Sequence, residues 1–350
     1  YADLSLPAEE RKQALRDPSV DPYALILDRD GHTLLGVQYM DGRVHARLLE
    51  GGGEGARLYR ALEQAFPDAA VNVTSYTRDG LALVQVWNDR TPGDTYLFDP
   101  ATMNVNGVFV AREWFDPAKL PKMRPVSVRA RDGLALQGYL TLPAGAAEAA
   151  PLPMVVMPHG GPYGIFDEWA FDDDTQMLAE AGYAVLRINF RGSGNYGQRF
   201  RQAGARQWGG AMQDDLTDAT RWAIEQRIAD PARICIYGAS YGGYAALMGA
   251  AREPDLYRCA VGYVGVYDLE EMHRRDSAAS RSMRNWVDDW VGERDGLALR
   301  SPVGMAARIK AQVLLVAGGA DQIAPIVHSK RMANALAKAG NPAQTLFFDT

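Results

Sequence analysis

Ile234-Cys235-Ile236-Tyr237-Gly238-Ala239-Ser240-Tyr241-Gly242-Gly243-Tyr244 is the stretch that decides the fold. A short apolar strand runs into a glycine-flanked turn, and Ala245, Leu247 and Met248 open a helical pattern immediately afterwards. A strand-to-helix turn this sharp forces its central residue into a sparsely populated backbone conformation. It also packs the flanking residues so tightly that only glycine fits two positions to either side. Ser240 stands at that centre, so the turn lifts its hydroxyl above the carboxyl edge of a sheet.

Outward from this turn, strands alternate with helical patterns. The strand candidates are Val126 to Ala130, Leu134 to Leu142, Met154 to Met157, Ala184 to Phe190, Arg233 to Tyr237, Ala260 to Val266, Val313 to Ala317 and Thr345 to Phe348. Helical segments fall near Ala170 to Ala181, Leu216 to Gln226, Tyr241 to Arg252 and Val327 to Ala339. Apolar strands alternating with amphipathic helices predict a parallel sheet covered on both faces, with the first two strands paired antiparallel at Asp132-Gly133. The fold class is therefore α/β, an α/β-hydrolase-type doubly wound, mostly parallel sheet.

With strand and helix around it, Gly238-Ala239-Ser240-Tyr241-Gly242 has the context of a nucleophile elbow. Such a serine needs two donors for a tetrahedral oxyanion. One is the amide of Tyr241; the second comes from the loop after an earlier strand, where His159-Gly160-Gly161-Pro162 follows Met154 to Met157. His159 and Gly160 either shape or supply that donor, or the glycines make a plain turn. An acid belongs at the end of a later strand, and Asp321 follows Val313 to Ala317 and a Gly-rich turn. It either orients a histidine base or caps the helix after Pro325. In chain order the base belongs after Thr345 to Phe348, beyond Thr350. His32, His45, His273 and His328 all lie elsewhere in the pattern, and His159 precedes the serine.

Between Ala24 and Val110 the pattern changes to short alternating runs broken at Asp30-Gly31, Asp41-Gly42, Asp79-Gly80 and Pro92-Gly93-Asp94, which reads as antiparallel hairpins. Leu27 to Leu35 and Tyr76 to Val84 look loosely alike at a spacing of about 49 residues, which suits propeller blades; the region holds material for about two. The boundary falls near residue 120: residues 1–120 form a hairpin region, a partial β-propeller, and 121–350 an α/β domain lacking its C-terminal end. The 350 residues are 47 % apolar with a formal net charge of −6, which gives no electrostatic footprint for nucleic acid or anionic membrane. No apolar run reaches the roughly 18 residues that span a bilayer. Cys235 and Cys259 read as buried structural thiols, and no His/Cys grouping indicates a metal, so neither metal nor cofactor is expected. The start, Tyr1-Ala2-Asp3-Leu4, has no signal-peptide pattern and no initiator Met, which leaves compartment open: the cytoplasm is favoured and a periplasm allowed.

Four motifs together resemble the prolyl oligopeptidase family of serine peptidases, in its acylaminoacyl-peptidase and dipeptidyl-aminopeptidase branches. They are His159-Gly160-Gly161-Pro162, Arg191-Gly192-Ser193-Gly194-Asn195-Tyr196-Gly197, Gly238 to Tyr244, and Gly318-Gly319-Ala320-Asp321-Gln322-Ile323-Ala324-Pro325. Trp208-Gly209-Gly210 and Gln213-Asp214-Asp215 add to the likeness, which spans residues 126–350. The resemblance implies hydrolysis of short peptides near their amino end through an acyl-enzyme on Ser240, with the propeller screening the site. It also implies an apolar substrate pocket at Tyr241, Tyr244, Val266, Leu269 and Ile323, although Tyr241, Tyr244, Val266 and Leu269 equally suit a core. Ile323 departs from the Arg or Asn of many relatives, and Ala317-Gly318 from their His-Gly. An esterase on small acyl esters is the enzymatic alternative, and a non-catalytic scaffold or binding module is the alternative of another class. The expected partner is a short peptide, with no nucleic acid, no membrane, and a homo-oligomer left open.

Overall fold

The computed structural model describes residues 15–51, 53–146 and 151–349, and its chain divides into two compact units, residues 1–123 with 168–176 and residues 124–167 with 177–350.

In the first unit, β1 (Pro22–Leu27), β2 (Leu34–Asp41) and β3 (Arg43–Leu48) form a three-stranded sheet in chain order. Helix α1 (Gly53–Ala65) follows, and then β4 (Ala70–Tyr76), β5 (Ala82–Trp87), β6 (Asp94–Asp99) and β7 (Asn104–Phe109) form a four-stranded meander. The two stretches that look alike occupy the same place in each sheet: the first closes the β1–β2 hairpin at Leu27↔Leu34, the second the β4–β5 hairpin at Tyr76↔Ala82. Gly31 and Gly80 take φ of 72° and 97° there, a region that costs residues with a Cβ. Helix α1 departs from the hairpin reading of this stretch. It buries only a narrow stripe, Ala56, Tyr59 and Leu62, and its charged flanks and leading glycines masked the period. That stripe packs with Ile26, Leu35, Val71, Val84 and Phe98 into one core.

The second unit carries β8 (Met123–Arg129), β9 (Ala135–Thr141) and β10 (Leu152–Val156), then α2 (Asp173–Glu180), whose first four residues fall in the first unit, β11 (Ala184–Asn189), α3 (Gly197–Ala203), α4 (Ala211–Glu225) and β12 (Ala229–Ala239). It continues with α5 (Tyr241–Arg252), β13 (Cys259–Tyr263), α6 (Leu269–Ala279), α7 (Arg281–Trp290), β14 (Gln312–Gly318), α8 (Ile326–Lys338) and β15 (Gln344–Phe348). Eight strands make one sheet in the order β15-β14-β13-β12-β10-β11-β9-β8. Every pairing from β11 to β15 is parallel, and β9 joins β11 antiparallel. Parallel strands deliver their carboxyl ends to one edge, so the loops after β10, β11, β12, β13 and β14 all open there. Behind that edge, α5 is buried along Tyr241–Ala251, the pattern of a helix enclosed by its own domain.

Two expectations change here. Cys235 and Cys259 are register partners on β12 and β13, 4.7 Å apart at Cα, and form a disulfide rather than two free thiols. Adjacent-strand spacing brings their side chains together, a relation that 24 residues of separation hide in the sequence. The polar stretch after Val266, which has no strong apolar period, folds into α6 and α7, each burying a single residue, Leu269 and Val287.

Candidate active site

At the crossing from β12 to α5, Ser240 has φ 56° and ψ −120°, a conformation that costs a non-glycine residue of order 1–3 kcal/mol and persists only where packing enforces it. The enforcement is visible on both sides. A Cβ on Gly238 would lie 2.5 Å from the Gly242 carbonyl carbon, and one on Gly242 would overlap the Pro158 carbonyl oxygen. The Ser240 amide donates to the Tyr263 carbonyl at 3.0 Å, which ties the turn to the end of β13. Tyr241 is the first residue of α5, so its amide has no intrahelical acceptor and carries the positive end of the helix dipole.

The loop after β10 reaches the same place. A Cβ on Gly160 would stand 3.3 Å from the Ala239 carbonyl oxygen and 3.6 Å from Ser240 Cβ, so this backbone passes directly beside the serine. His159 does not face Ser240. Its ring stacks on Phe190, with Nδ1 2.7 Å from the Gly160 carbonyl and Nε2 2.8 Å from Ser193 Oγ. A carbonyl only accepts, so Nδ1 carries a proton, while the Ser193 hydroxyl donates to the Phe190 carbonyl at 2.7 Å and keeps its oxygen beside Nε2. Loss of water holds the imidazole below the usual histidine value. His159 thus fastens the glycine loop, and its two nitrogens are spent on that task.

Ser193 belongs to the Arg191–Gly197 motif, which is held from beneath. The Arg191 guanidinium meets Asp215 at 2.6 and 2.8 Å and Asp132 at 2.8 Å, and Asp215 also accepts the Arg191 amide at 2.9 Å. Asp215 is wholly buried, and such a carboxylate is stable only with this fork geometry to satisfy it. Its part was not legible beyond a family likeness, because nothing local in Gln213-Asp214-Asp215 points 24 residues back.

Asp321 follows β14 on the same edge, β13 lying between β14 and β12. Its Oδ1 accepts the amides of Ile323 and Ala324 at 2.8 and 2.9 Å, both in the loop before α8, whose N-cap is Pro325 without a side-chain bond, so Asp321 does not cap that helix, and among the described residues Oδ2 has no hydrogen-bond partner. The carboxylate is therefore oriented by its own turn with one oxygen left over. The other histidines are engaged elsewhere: His273 Nε2 meets Asp288 at 2.9 Å, His328 Nδ1 accepts the Asp268 amide at 3.3 Å, and His45 stacks on Tyr39. None of them is hydrogen-bonded to Ser240 or Asp321 among the described residues.

The apolar residues divide. Tyr241, Tyr244, Val266 and Leu269 form one cluster with Phe190, Trp208 and Val287. Tyr244 and Leu269 have no exposed surface, and Tyr244 donates to the Arg300 carbonyl at 2.8 Å, so both are core of this cluster rather than pocket lining. Ile323 is 89 % exposed, its loop turning the side chain outward where Asp321 accepts its amide. Two features escape sequence reasoning. Val264, next to the elbow, has φ 44°, strained for a β-branched residue. Tyr163 of the glycine loop packs on Trp290 at 4.6 Å and edge-on to Trp286 at 6.3 Å, so the α7 tryptophans border the loop that passes Ser240.

A strained serine at a helix N-terminus, a glycine backbone beside it and a half-used carboxylate two strands away are laid out as in the α/β-hydrolase fold class. The model of the prolyl oligopeptidase family matches residues 169–350, and the chain belongs to that family. Dipeptidyl aminopeptidase BIII of Pseudoxanthomonas mexicana is 31 % identical over 298 residues, covering 81 % of this chain and 43 % of that protein. A puromycin-hydrolyzing peptidase of Mycobacterium tuberculosis is 25 % identical with a TM-score of 0.75, covering 98 % of this chain and 53 % of the other. The acylaminoacyl peptidase of Pyrococcus horikoshii, 21 % identical, shares the fold at a TM-score of 0.74, again over 98 % and 53 %. The chain thus spans about half the length of the relatives it matches. All three of these relatives are named as peptidases, and no helix among the described residues is long and apolar enough to cross a membrane.

Proposed function

We propose that this chain carries the acyl-transfer site of a serine peptidase that cleaves short peptides near their amino end. The observation that carries the reading is the strained Ser240 backbone with the Gly160 loop packed against it. Ser240 Oγ attacks the carbonyl carbon and gives its proton to a histidine that follows β15 in chain order, oriented through the unpaired Oδ2 of Asp321. The oxyanion takes the Tyr241 amide and a second donor from the loop at His159 and Gly160. The C–N bond then breaks, the amine leaves with the histidine's proton, and water releases the acyl group from Ser240. Peptides rather than esters are favoured because the named relatives are peptidases. The pocket for the residue before the cut is bordered by the cluster around Tyr241 and Val266.

Fluorophosphonate labelling of the full-length protein tests the nucleophile. We expect one adduct, at Ser240, and none in Ser240→Ala; undiminished labelling of that variant would refute the assignment. Turnover of peptide anilides against acyl esters tests the substrate class, a strong ester preference pointing to the esterase alternative.

A further inference from the structure

The first unit holds a cavity of its own, about 420 Å³ in volume, lined by β1 on one side and β4 on the other, with residues of β2 and α1 completing the wall. Among the described residues each of these strands is the outer member of its sheet, β1 pairing with β2 alone and β4 with β5 alone. The far side of each strand therefore carries backbone N–H and C=O groups without a ladder partner. Ile26, Leu35, Leu58 and Val73 give the wall an apolar part. Charge enters at Asp28 and Arg29, which with Tyr76 also line a smaller hollow of about 180 Å³ and so stand where the two spaces adjoin. Neither charge is neutralised: among the described residues Asp28 and Arg29 make no ion pair, with each other or with a third group. Asp28 Oδ1 accepts the Arg29 amide at 2.7 Å, and a Cβ on Gly55 of α1 would stand 2.6 Å from that oxygen, so the carboxylate is held in place while Oδ2 has no hydrogen-bond partner. Arg29 spends Nη2 on the Thr77 and Arg78 carbonyls at 2.9 and 3.3 Å and lies over the Tyr76 ring at 5.8 Å, which fixes the guanidinium and leaves Nε and Nη1 uncommitted. Two fixed, unpaired charges of opposite sign, strand edges on both sides and an apolar wall match a molecule with an ammonium at one end, a carboxylate at the other and a peptide main chain between. The volume lies low in the usual range of ligand cavities, which suits a dipeptide better than a longer chain.

We propose that this cavity is a binding site for a zwitterionic dipeptide with apolar side chains, separate from the serine site. The ammonium sits on Asp28, the carboxylate on Arg29, and the main chain bonds to the free edges of β1 and β4. The inference does not rest on the peptidase reading of Ser240, although its ligand is of the kind that a peptidase of short peptides releases.

The test is calorimetric titration of the dipeptide Leu-Leu into full-length protein carrying Ser240→Ala, so that the ligand is not turned over. We expect saturable binding, and binding about tenfold weaker for N-acetyl-Leu-Leu, which lacks the ammonium, and for Leu-Leu amide, which lacks the carboxylate. The substitutions should match the ends of the ligand. Asp28→Asn, which keeps an oxygen for the Arg29 amide, should weaken Leu-Leu about tenfold and leave N-acetyl-Leu-Leu unchanged. Arg29→Met should weaken Leu-Leu by a similar factor and leave Leu-Leu amide unchanged, and Arg29→Lys, which keeps the charge but not the fork, should fall between. Leu-Leu binding that ignores both positions, as binding beside Ser240 would, overturns the proposal, and so does a titration without saturation. Arg29 is exposed and Asp28 half-buried, so the variants should melt with the parent; if Arg29→Met melts early, Arg29→Lys and the end-blocked ligands still decide the matter.

Discussion

Single residues around Ser240 are constrained by backbone approach more than by chemistry. A Cβ at Gly242 would overlap the Pro158 carbonyl and meet His159, whereas one at Gly160 would meet the Ala239 oxygen at 3.3 Å and Ser240 at 3.6 Å. Gly242→Ala should therefore cost about 1–3 kcal/mol in urea unfolding despite alanine's better helix propensity. Gly160→Ala should cost under about 1 kcal/mol yet slow fluorophosphonate labelling, because its methyl stands over the hydroxyl. His328 gives a pH signature. Burial is the main cause pushing it down to about 4, with Arg331 and Arg275 reinforcing and Asp268 and Glu271 opposing. The unfolded chain takes up this proton near 6.5 and the folded chain only near 4, so stability is full above pH 6.5 and falls as pH drops towards 4. The contribution is about 3 kcal/mol. His328→Asn, whose oxygen still accepts the Asp268 amide, should flatten this slope in denaturation series at pH 7 and 5. Ser240, Gly160 and Asp321 were legible because glycine spacing and strand context signal them locally. Val264 was not, since its strain arises from what lies across the edge.

At the scale of elements, strands β8 to β15 lie within a few residues of their expected limits because an apolar run bounded by turn residues announces a strand wherever it sits. Helices with broad apolar faces, such as α5, were equally plain. The missed helices, α1, α6 and α7, bury three or fewer large side chains each, and so little apolar surface leaves a faint period. Pairing between elements is where the sequence was silent. Reduction of Cys235–Cys259, or Cys259→Ala, should lower the stability of the α/β unit by about 2–3 kcal/mol, measured as the urea midpoint with and without reductant. Asp215→Ala should cost about 3 kcal/mol or more, since it strands the Arg191 charge against a half-exposed Asp132, and should loosen the Ser193–His159 tie with it.

For the whole molecule, the decisive fact is that, among the described residues, the buried cluster of the first unit, with Ile26, Tyr59, Leu62, Val84 and Phe98, shares no member with the two clusters of the second. Phe98→Ala, wholly buried in the first, should destabilise that unit by about 3–5 kcal/mol. Calorimetry should show one transition moving and the sheet's transition staying; a common shift of both would refute separate cooperative units. The sequence by itself determined the fold class, the elbow at Ser240 and the family likeness, because each depends on residues within about ten positions of one another, where turn sterics and periodicity act. Only the tertiary structure decided that the two cysteines bond, that Arg191 leans on Asp215, that Tyr244 and Leu269 are core and that His159 holds a loop. Those are contacts between segments brought together by the order of strands in the sheet, and strand order is set by packing of the whole core rather than by any local pattern.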